Sequence, residues 1–126
     1  PPPPPPPPPP PHKMPKPPRH AKGVQVKNEF STSSVRINKI RWEAPLEGSS
    51  PVSYQIYRDS ALRELAAEIP AHGKLEFEDP MRKKGREYHY FLVTVDAEHH
   101  RSQAVEVIVM PIKLQKTKPV PVLCCI

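Results

Sequence analysis

The chain has 126 residues, 21 of which are proline, and its formal net charge is +6. This length suits one ordinary domain and is too short for two. The first 22 residues carry four cations and no carboxylate, and residues 113–126 carry three more cations. The middle of the chain is therefore close to neutral, which argues against a nucleic-acid-binding domain, because such a domain carries its positive charge on the folded face.

The chain begins with eleven consecutive prolines. Proline fixes φ near −65° and has no amide donor, so the run predicts a stiff polyproline II rod of roughly 30 Å. We interpret the rod as a spacer rather than a ligand for a proline-binding groove, since a homopolymer lacks the flanking residues that such grooves select. The basic residues that follow continue a solvated linker, so residues 1–22 are predicted to be a disordered polyproline and basic linker.

Residues 23–112 predict an all-β domain, a seven-strand antiparallel β-sandwich of the immunoglobulin-like kind. Short segments favour strands, turns separate them at regular intervals, and stretches that favour a helix are almost absent. We place the strands at residues 23–27, 35–43, 52–58, 66–69, 74–78, 85–96 and 104–110. Residues 113–126 are predicted to be a short, disordered basic tail.

The second predicted strand changes the parity of its apolar residues. Val35 and Ile37 share one face, whereas Ile40 and Trp42 share the other. A β-bulge near Asn38 would bring all four to the core. The third strand is regular, with Val52, Tyr54 and Ile56 facing inward and Tyr57 facing outward.

Residues 60–69 are ambiguous, because their apolar positions fall at helical spacing after a possible Ser60 cap. The segment is short, lies between strands and ends at Pro70. We therefore predict one helical turn around residues 61–64, followed by a short edge strand. Farther along, Asp79 and Pro80 predict a turn that leads into a basic loop.

The longest run of strand-forming residues follows Gly85, and we predict that it is the central strand. Its residues alternate between two largely apolar faces. One face carries Tyr88, Tyr90, Leu92 and Thr94, and the other carries His89, Phe91, Val93 and Val95.

The order and spacing of three motifs resemble those of a fibronectin type III domain. The second strand carries Trp42-Glu43-Ala44-Pro45, the third carries Tyr54-Gln55-Ile56-Tyr57, and the sixth opens with Gly85 three residues before Tyr88. The resemblance covers about residues 23–110. It implies that Tyr88 is a corner tyrosine whose hydroxyl bonds back to the backbone of the preceding loop.

Residues 28–30 and 75–84 look especially like divergent bacterial versions of this domain, found in surface or secreted repeat proteins. The resemblance thus implies a location at the cell surface or outside the cell. The sequence has no Arg-Gly-Asp, since Tyr57-Arg58-Asp59-Ser60 lacks the glycine. Integrin-type binding is therefore not implied.

The sequence contains no recognisable active site, and we predict no catalytic residue, cofactor or metal. His99 and His100 are adjacent, so they would point apart, and no further ligand lies at a suitable spacing. There is no Gly-x-Ser-x-Gly elbow, and four glycines are too few for a phosphate-binding loop. Glu76 and Glu78 lie on the outer face of a predicted strand and do not form an acid/base pair.

The two cysteines, Cys124 and Cys125, are adjacent and cannot staple the fold. A disulfide between neighbours closes a strained ring, so we expect free thiols or a bond to another chain. Leu123 occupies the position that a prenylation box reserves for cysteine, although lipidation by another route stays open. No apolar run approaches the ~18 residues of a membrane helix. The chain has no initiator methionine or signal peptide, so we expect it to be a fragment of a longer protein.

Two surfaces are candidates for binding. A cationic loop could attract an anionic polysaccharide, a lipid headgroup or an acidic protein, and it contains Arg82, Lys83, Lys84 and Arg86. An outward apolar set could contact a neighbouring domain or ligand if nothing covers it, and it contains Tyr57, Phe91, Val93 and Val95.

The first functional hypothesis is a non-enzymatic interaction and spacer module of a larger bacterial surface or secreted protein. Its partners would be other proteins or neighbouring domains of the same chain. The alternative is an accessory module that binds carbohydrate or a polyanion beside a polysaccharide-active enzyme, through Tyr57 or the cationic loop.

Overall fold

A computed structural model of the protein describes residues 1–7, 13–27 and 35–112. Its strands are β1 (Arg19–Lys27), β2 (Val35–Glu43), β3 (Pro51–Tyr57), β4 (Leu65–Pro70), β5 (Glu76–Lys83), β6 (Tyr88–Asp96) and β7 (Val105–Val109). They form a three-stranded sheet, β1-β2-β5, and a four-stranded sheet, β4-β3-β6-β7, with antiparallel neighbours throughout. The predicted seven-strand sandwich is confirmed. The predictions for residues 113–126, including Cys124 and Cys125, lie outside the described residues.

The core lies between the two sheets and contains Trp42, as the sequence predicts. Trp42 is 4 % exposed, and its ring meets that of Tyr54 edge to face at 5.6 Å. The other buried members of this cluster are Ile40, Ile56, Tyr90, Leu92, Val107 and Val109. The predicted inner face of β6 is confirmed, and β6 is an interior strand of its sheet.

Strand β2 does not contain the extra residue that we predicted to explain the change of parity among its apolar residues. Asn38, Ile40 and Trp42 are the buried positions, so β2 alternates regularly and Ile37 stays half-buried on the opposite face. A bulge does lie opposite Asn38, but the extra residue belongs to β5. The prediction was wrong because it treated Asn38 as a surface residue, whereas hydrogen bonds to Gln25 and Tyr90 satisfy its buried amide.

Strand β5 is longer than predicted and ends at Lys83. Asp79 and Pro80 therefore lie inside a strand rather than in a turn. Proline is tolerated there because β5 is at the edge of its sheet, and Pro80 falls in the bulge with Met81, whose φ is 62°. Two cations that we predicted in a loop, Arg82 and Lys83, are consequently strand residues.

The segment between β3 and β4 forms a tight turn and not the predicted helical turn. The Asp59 carboxylate accepts hydrogen bonds from the backbone N–H groups of Arg63 and Glu64, at 2.7 to 3.1 Å. These bonds hold the pKa of Asp59 below its ordinary value. Leu62 has a φ of 56°, which a helix does not allow. The edge strand that we predicted after this segment is present as β4.

Val52 also departs from the prediction, because it is 52 % exposed rather than inward. The pairing of β3 with β6 shifts by one residue between Pro51 and Ser53. Val52 is the extra residue in that irregularity, so its side chain leaves the regular alternation.

Part of the segment that we predicted as a solvated linker packs against the sandwich. β1 begins at Arg19 and not at residue 23. Before it, Pro15 bridges Gly48, and the Met14 carbonyl accepts a 3.2 Å hydrogen bond from the Ser49 N–H. Gly48 has a φ of +87°, and a Cβ there would lie 2.7 Å from the Met14 carbonyl oxygen. The loop between β2 and β3 therefore holds residues 14–18 in place, while Pro1 to Pro7 are exposed.

Gly23 permits a close approach of β1 to β7, which gives a testable prediction. A Cβ at this position would lie 2.6 Å from Val109 Cγ2 and 2.9 Å from Val107 Cγ1, and both valines are buried. We expect Gly23→Ala to lower the free energy of unfolding by about 1–3 kcal/mol, measured by urea titration, because overpacked cores cost this much. Gly73→Ala is the matched control, since its nearest contact would be an ordinary 3.5 Å. Equal stability of the two variants would contradict the role of Gly23.

Candidate functional site

The four cations that we predicted as one loop divide into one inward and three outward side chains. The inward one is Arg82, whose Nε donates a 3.0 Å hydrogen bond to the Pro80 carbonyl and lies 3.7 Å from Asp79. Its guanidinium also lies over the Tyr88 ring, 5.7 Å from the centroid. Arg82 therefore helps to close the end of the sandwich, and its side chain is 27 % exposed.

The other three cations, Lys83, Lys84 and Arg86, surround the tip of the β5–β6 connection and are exposed. We call this segment the cationic turn (Lys83–Arg86). Gly85 at its tip has a φ of +76°, and no atom lies within 4 Å of the point where its Cβ would be. The turn therefore projects into solvent. No ion pair joins these three side chains to another residue in the described part of the chain.

Tyr88 fixes the base of the cationic turn. The Lys83 backbone N–H donates a 2.7 Å hydrogen bond to the Tyr88 hydroxyl, five residues along the chain. This is the contact that the resemblance implied for a corner tyrosine. It ties the end of β5 to the start of β6 and so sets where the turn projects.

Three carboxylates near the cationic turn would neutralise it if they were free. Each has another partner: Glu78 lies 3.5 Å from Lys39, Asp79 2.9 Å from Arg58, and Glu87 3.2 Å from His89. The sequence places these acids beside the cations, but the fold directs them elsewhere. These three ion pairs therefore involve none of Lys83, Lys84 and Arg86.

His89 holds the nearest of these acids on the outer face of β6. One ring nitrogen lies 2.7 Å from Glu106 and the other lies 3.2 Å from Glu87. The hydrogen bond with Glu106, together with the charge of Glu87, raises the pKa of His89 above its ordinary value. Protonation of His89 therefore strengthens its contacts with Glu106 and Glu87.

The second predicted surface, the apolar set on the outer face of β3 and β6, is largely covered. Tyr57 is 7 % exposed, Val93 and Val95 are buried, and Phe91 packs against them half-buried. The turn between β3 and β4 adds Leu62 to this cluster. Among the described residues, this turn therefore contributes to the cover of the cluster through Leu62.

Polar bonds close the edge of that cluster. The Tyr57 hydroxyl donates a 2.6 Å hydrogen bond to Gln55 and accepts a 3.3 Å bond from Arg101. Tyr57 is thus engaged on both its ring and its hydroxyl, and it does not present a flat aromatic surface to a ligand.

A buried polar network joins the two sheets, and the sequence did not reveal it. The Tyr90 hydroxyl donates a 2.6 Å hydrogen bond to Asp79, which also accepts a 2.9 Å bond from Arg58. Asn38 donates to the same hydroxyl at 2.8 Å and accepts at 2.9 Å from Gln25. Burial, reinforced by the bond to Asp79, raises the pKa of Tyr90 well above its ordinary value, so this hydroxyl stays protonated. The one sequence signal was Asn38, a polar residue at a position where β2 alternation requires a buried one.

The adjacent histidines belong to a hairpin that Asp96 organises. The Asp96 carboxylate accepts bonds from the backbone N–H groups of Glu98 and His100 and from the Ser49 hydroxyl. Burial alone would raise the pKa of Asp96, but these bonds hold it below the ordinary value. His99 is exposed with a φ of 64°. Within residues 1–7, 13–27 and 35–112, no three metal-ligating side chains form a group that could hold an ion.

A search of the described residues for a long apolar helix that could span a membrane finds none. The candidate site is the cationic turn, supported by Tyr88 at its base. It presents three exposed cationic side chains, Lys83, Lys84 and Arg86.

Antiparallel sheets in the orders β1-β2-β5 and β4-β3-β6-β7, packed over a buried tryptophan, define an immunoglobulin-like β-sandwich. Within that class, solved structures show that the chain has the fibronectin type III fold. It is similar to the fn3 domain of the human collagen alpha-1(XX) chain, with a TM-score of 0.56 and 16% identity over 86% of this chain and 93% of that one. A Fn3-like protein from Clostridium thermocellum has a TM-score of 0.53 and 16% identity, over 82% and 99% of the two chains.

The fold also matches part of a larger enzyme. A β-1,2-glucanase from Parabacteroides distasonis has a TM-score of 0.52 and 17% identity, over 79% of this chain and 13% of that one. No family model matches the sequence, and no curated protein matches it. At these identities the likeness shows the fold alone.

Proposed function

We propose that the protein is a non-enzymatic interaction and spacer module of a larger bacterial surface or secreted protein. The observation that carries this proposal is the position of the two points where the chain joins the sandwich. They lie at opposite ends, so the module separates whatever precedes it from whatever follows it.

The length of strand β6 gives the distance between these two ends of the sandwich. Its last residue, Asp96, bonds to Ser49 in the loop between β2 and β3, and the same loop holds Arg19, whose Nε donates to the Ala44 carbonyl at 2.8 Å. Its first residue, Tyr88, pairs with Val109 at the end of β7. The chain therefore joins at the Asp96 end and leaves at the Tyr88 end, roughly 30 Å apart for nine extended residues.

The non-enzymatic part of the proposal rests on what the buried polar groups do. Tyr90 and Arg58 both donate hydrogen bonds to Asp79, whose carboxylate is buried. Groups that are poised for catalysis have strongly perturbed pKa values and converge on a substrate-sized pocket. The raised pKa of Tyr90 instead follows from burial within a network that joins the sheets.

Small-angle scattering of joined copies tests the spacer role. We expect the maximum dimension to grow by roughly 30 Å or more with each added copy, because each module should extend the chain from end to end. The series consists of proteins with one, two and three copies of the chain joined end to end, and each copy keeps its own terminal segments. A maximum dimension that stays nearly constant from one copy to three would mean that the modules fold back on one another, and the spacer proposal would fail.

The alternative is an accessory carbohydrate- or polyanion-binding module beside a polysaccharide-active enzyme. Its support is the likeness to part of the β-1,2-glucanase. Because Tyr57 is buried, we assign the proposed ligand contacts to the cations Lys83, Lys84 and Arg86, with Arg82 behind them. Affinity electrophoresis in gels with neutral or acidic polysaccharide tests it, and unchanged mobility in both would exclude it.

We also propose a location at the cell surface or outside the cell, and partners among neighbouring domains. The division into a linker, a sandwich and a basic tail also stays a prediction. Limited proteolysis of the full chain tests that division, and a protected fragment that starts near residue 13 rather than 23 is expected from the packing of residues 14–18.

A further inference from the structure

The end of the sandwich where the chain leaves β7 combines exposed positive charge with an exposed apolar side chain. Lys83, Lys84 and Arg86 are exposed, and the neighbouring acids are paired elsewhere. Lys27, at the end of β1, is exposed at this same end. Its position follows from the register, in which Lys27 lies opposite Arg36 and Arg36 lies opposite Arg82.

Met81 stands beside these cations and is 71 % exposed. In β5 the inward Arg82 separates Met81 from Lys83, so strand alternation directs Met81 and Lys83 away from the interior. Met81 lies in a bulge with positive φ, beside the exposed cations. Its side chain does not pack in the core. Its side chain can therefore be buried against a partner surface.

The shape of this end favours a broad, flat partner over a polymer chain. No described atom lies within 4 Å of the point where a Cβ of Gly85 would be, so the tip of the turn is accessible. A linear polysaccharide is usually held in a groove that surrounds it, whereas a projecting turn meets a surface with its tip and flanks. A bilayer rich in anionic headgroups offers both a negative surface and an apolar layer beneath it.

We propose that the cationic turn and Met81 form a docking surface for an anionic lipid membrane. Lys83, Lys84 and Arg86 contact the headgroups, Lys27 adds long-range attraction, and the Met81 thioether enters the boundary between headgroups and acyl chains. Tyr88 acts as a positioning residue, since its hydroxyl fixes the turn through the Lys83 N–H. In this orientation the Asp96 end, with Arg19 and the proline-rich segment, points away from the membrane.

Vesicle co-sedimentation of the full chain tests this surface. The probes are vesicles of phosphatidylserine mixed with phosphatidylcholine, and vesicles of phosphatidylcholine alone. We expect binding to the mixed vesicles only, weakening as salt is raised. The variant K83Q/K84Q/R86Q should bind about a hundredfold more weakly, because each cation near an anionic surface contributes about one kcal/mol.

Two further variants separate this surface from general charge attraction. K13Q/K16Q/K22Q removes the same charge from exposed positions at the far end and should lose less than about threefold. M81S should lose about tenfold without changing the salt dependence, since burial of apolar area carries no charge. Equal losses in the two triple variants, or an unaffected M81S, would overturn the proposal.

An acidic polysaccharide, used as a competing probe, distinguishes the other polyanion. Retention on a heparin-like column that depends on Lys83, Lys84 and Arg86, with no binding to mixed vesicles, would assign the turn to polysaccharide and overturn the membrane proposal. Folding of each variant is checked by denaturant titration, which should give the parent midpoint because all substituted side chains are exposed. The scattering series for the spacer role is independent of these results.

Discussion

Replacing Asp79 with alanine is expected to lower the free energy of unfolding by about 3 kcal/mol or more. Asp79 is 2 % exposed and accepts hydrogen bonds from Arg58 and the Tyr90 hydroxyl. Its loss leaves a cation and a buried hydroxyl without their acceptor, and removal of one partner of a buried pair costs about 3–5 kcal/mol. The Arg58 side chain is 32% exposed and can reach water, which places the effect at the lower end of this range. Urea or guanidinium titration measures it.

Glu78 provides the matched control in the same strand. Its ion pair with Lys39 has about half of each side chain exposed, so Glu78→Ala should change stability by less than about 0.5 kcal/mol. A double-mutant cycle with Tyr90→Phe then isolates the Tyr90–Asp79 bond, for which we expect a coupling of about 1–3 kcal/mol. If Asp79→Ala and Glu78→Ala are equally mild, the network does not hold the sheets together.

Replacing Trp42 with alanine is expected to cost about 3–5 kcal/mol, the usual range for a large aromatic side chain in a core. Trp42 is 4 % exposed and packs edge to face on Tyr54. The cavity left between the sheets cannot collapse easily, because β2 and β3 are each paired on both sides. Circular dichroism should follow unfolding here, since this substitution removes the chain's single tryptophan.

Trp42→Phe should cost less, about 1–2 kcal/mol. It retains an aromatic ring beside Tyr54, and it removes an indole N–H that has no acceptor among the described residues. Leu46→Ala tests specificity, because Leu46 is 81 % exposed and its truncation should shift stability by less than about 0.5 kcal/mol. A Trp42→Ala protein as stable as Leu46→Ala would remove Trp42 from the core.

The buried network and the cationic turn depend on the same strand. β5 carries Asp79 inward and, beyond the bulge, delivers Lys83 to the exposed turn. The bulge at Pro80 and Met81 shifts the alternation by one residue, so Arg82 returns to the interior near Asp79. A strand without this extra residue would direct the basic side chains to other faces. Stability and the proposed membrane surface are therefore coupled through one irregularity.

The sequence was informative wherever one face of a strand is consistently apolar. Tyr90 and Leu92 alternate with outward residues in β6, and Trp42 marks the core side of β2, so both assignments followed from the period of two. The sequence was misleading wherever a polar residue is buried or a proline lies in a strand. Asn38 and Pro80 are examples. The burial of Asn38 depends on a hydrogen bond with Tyr90, and Pro80 is tolerated because β5 is an edge strand, and strand alternation predicts neither.

The candidate site, too, was predicted from the sequence only in part. The sequence located a dense group of cations before β6, and it places Glu78, Asp79 and Glu87 next to them along the chain. Only the tertiary structure pairs those acids with Lys39, Arg58 and His89 and turns Arg82 inward. The covered state of Tyr57 also depends on Leu62, which lies on a turn that propensity assigned to a helix.

By itself, then, the sequence determined the number of strands, the buried faces of the regular ones and the presence of a basic segment before β6. These features depend on which side chains avoid water, and that preference is local to each strand. The tertiary structure decided which charges remain free, which polar groups are buried together and which apolar side chains stay exposed. Those outcomes depend on partners that are distant in sequence, since Arg58, Asp79 and Tyr90 meet only after both sheets have packed.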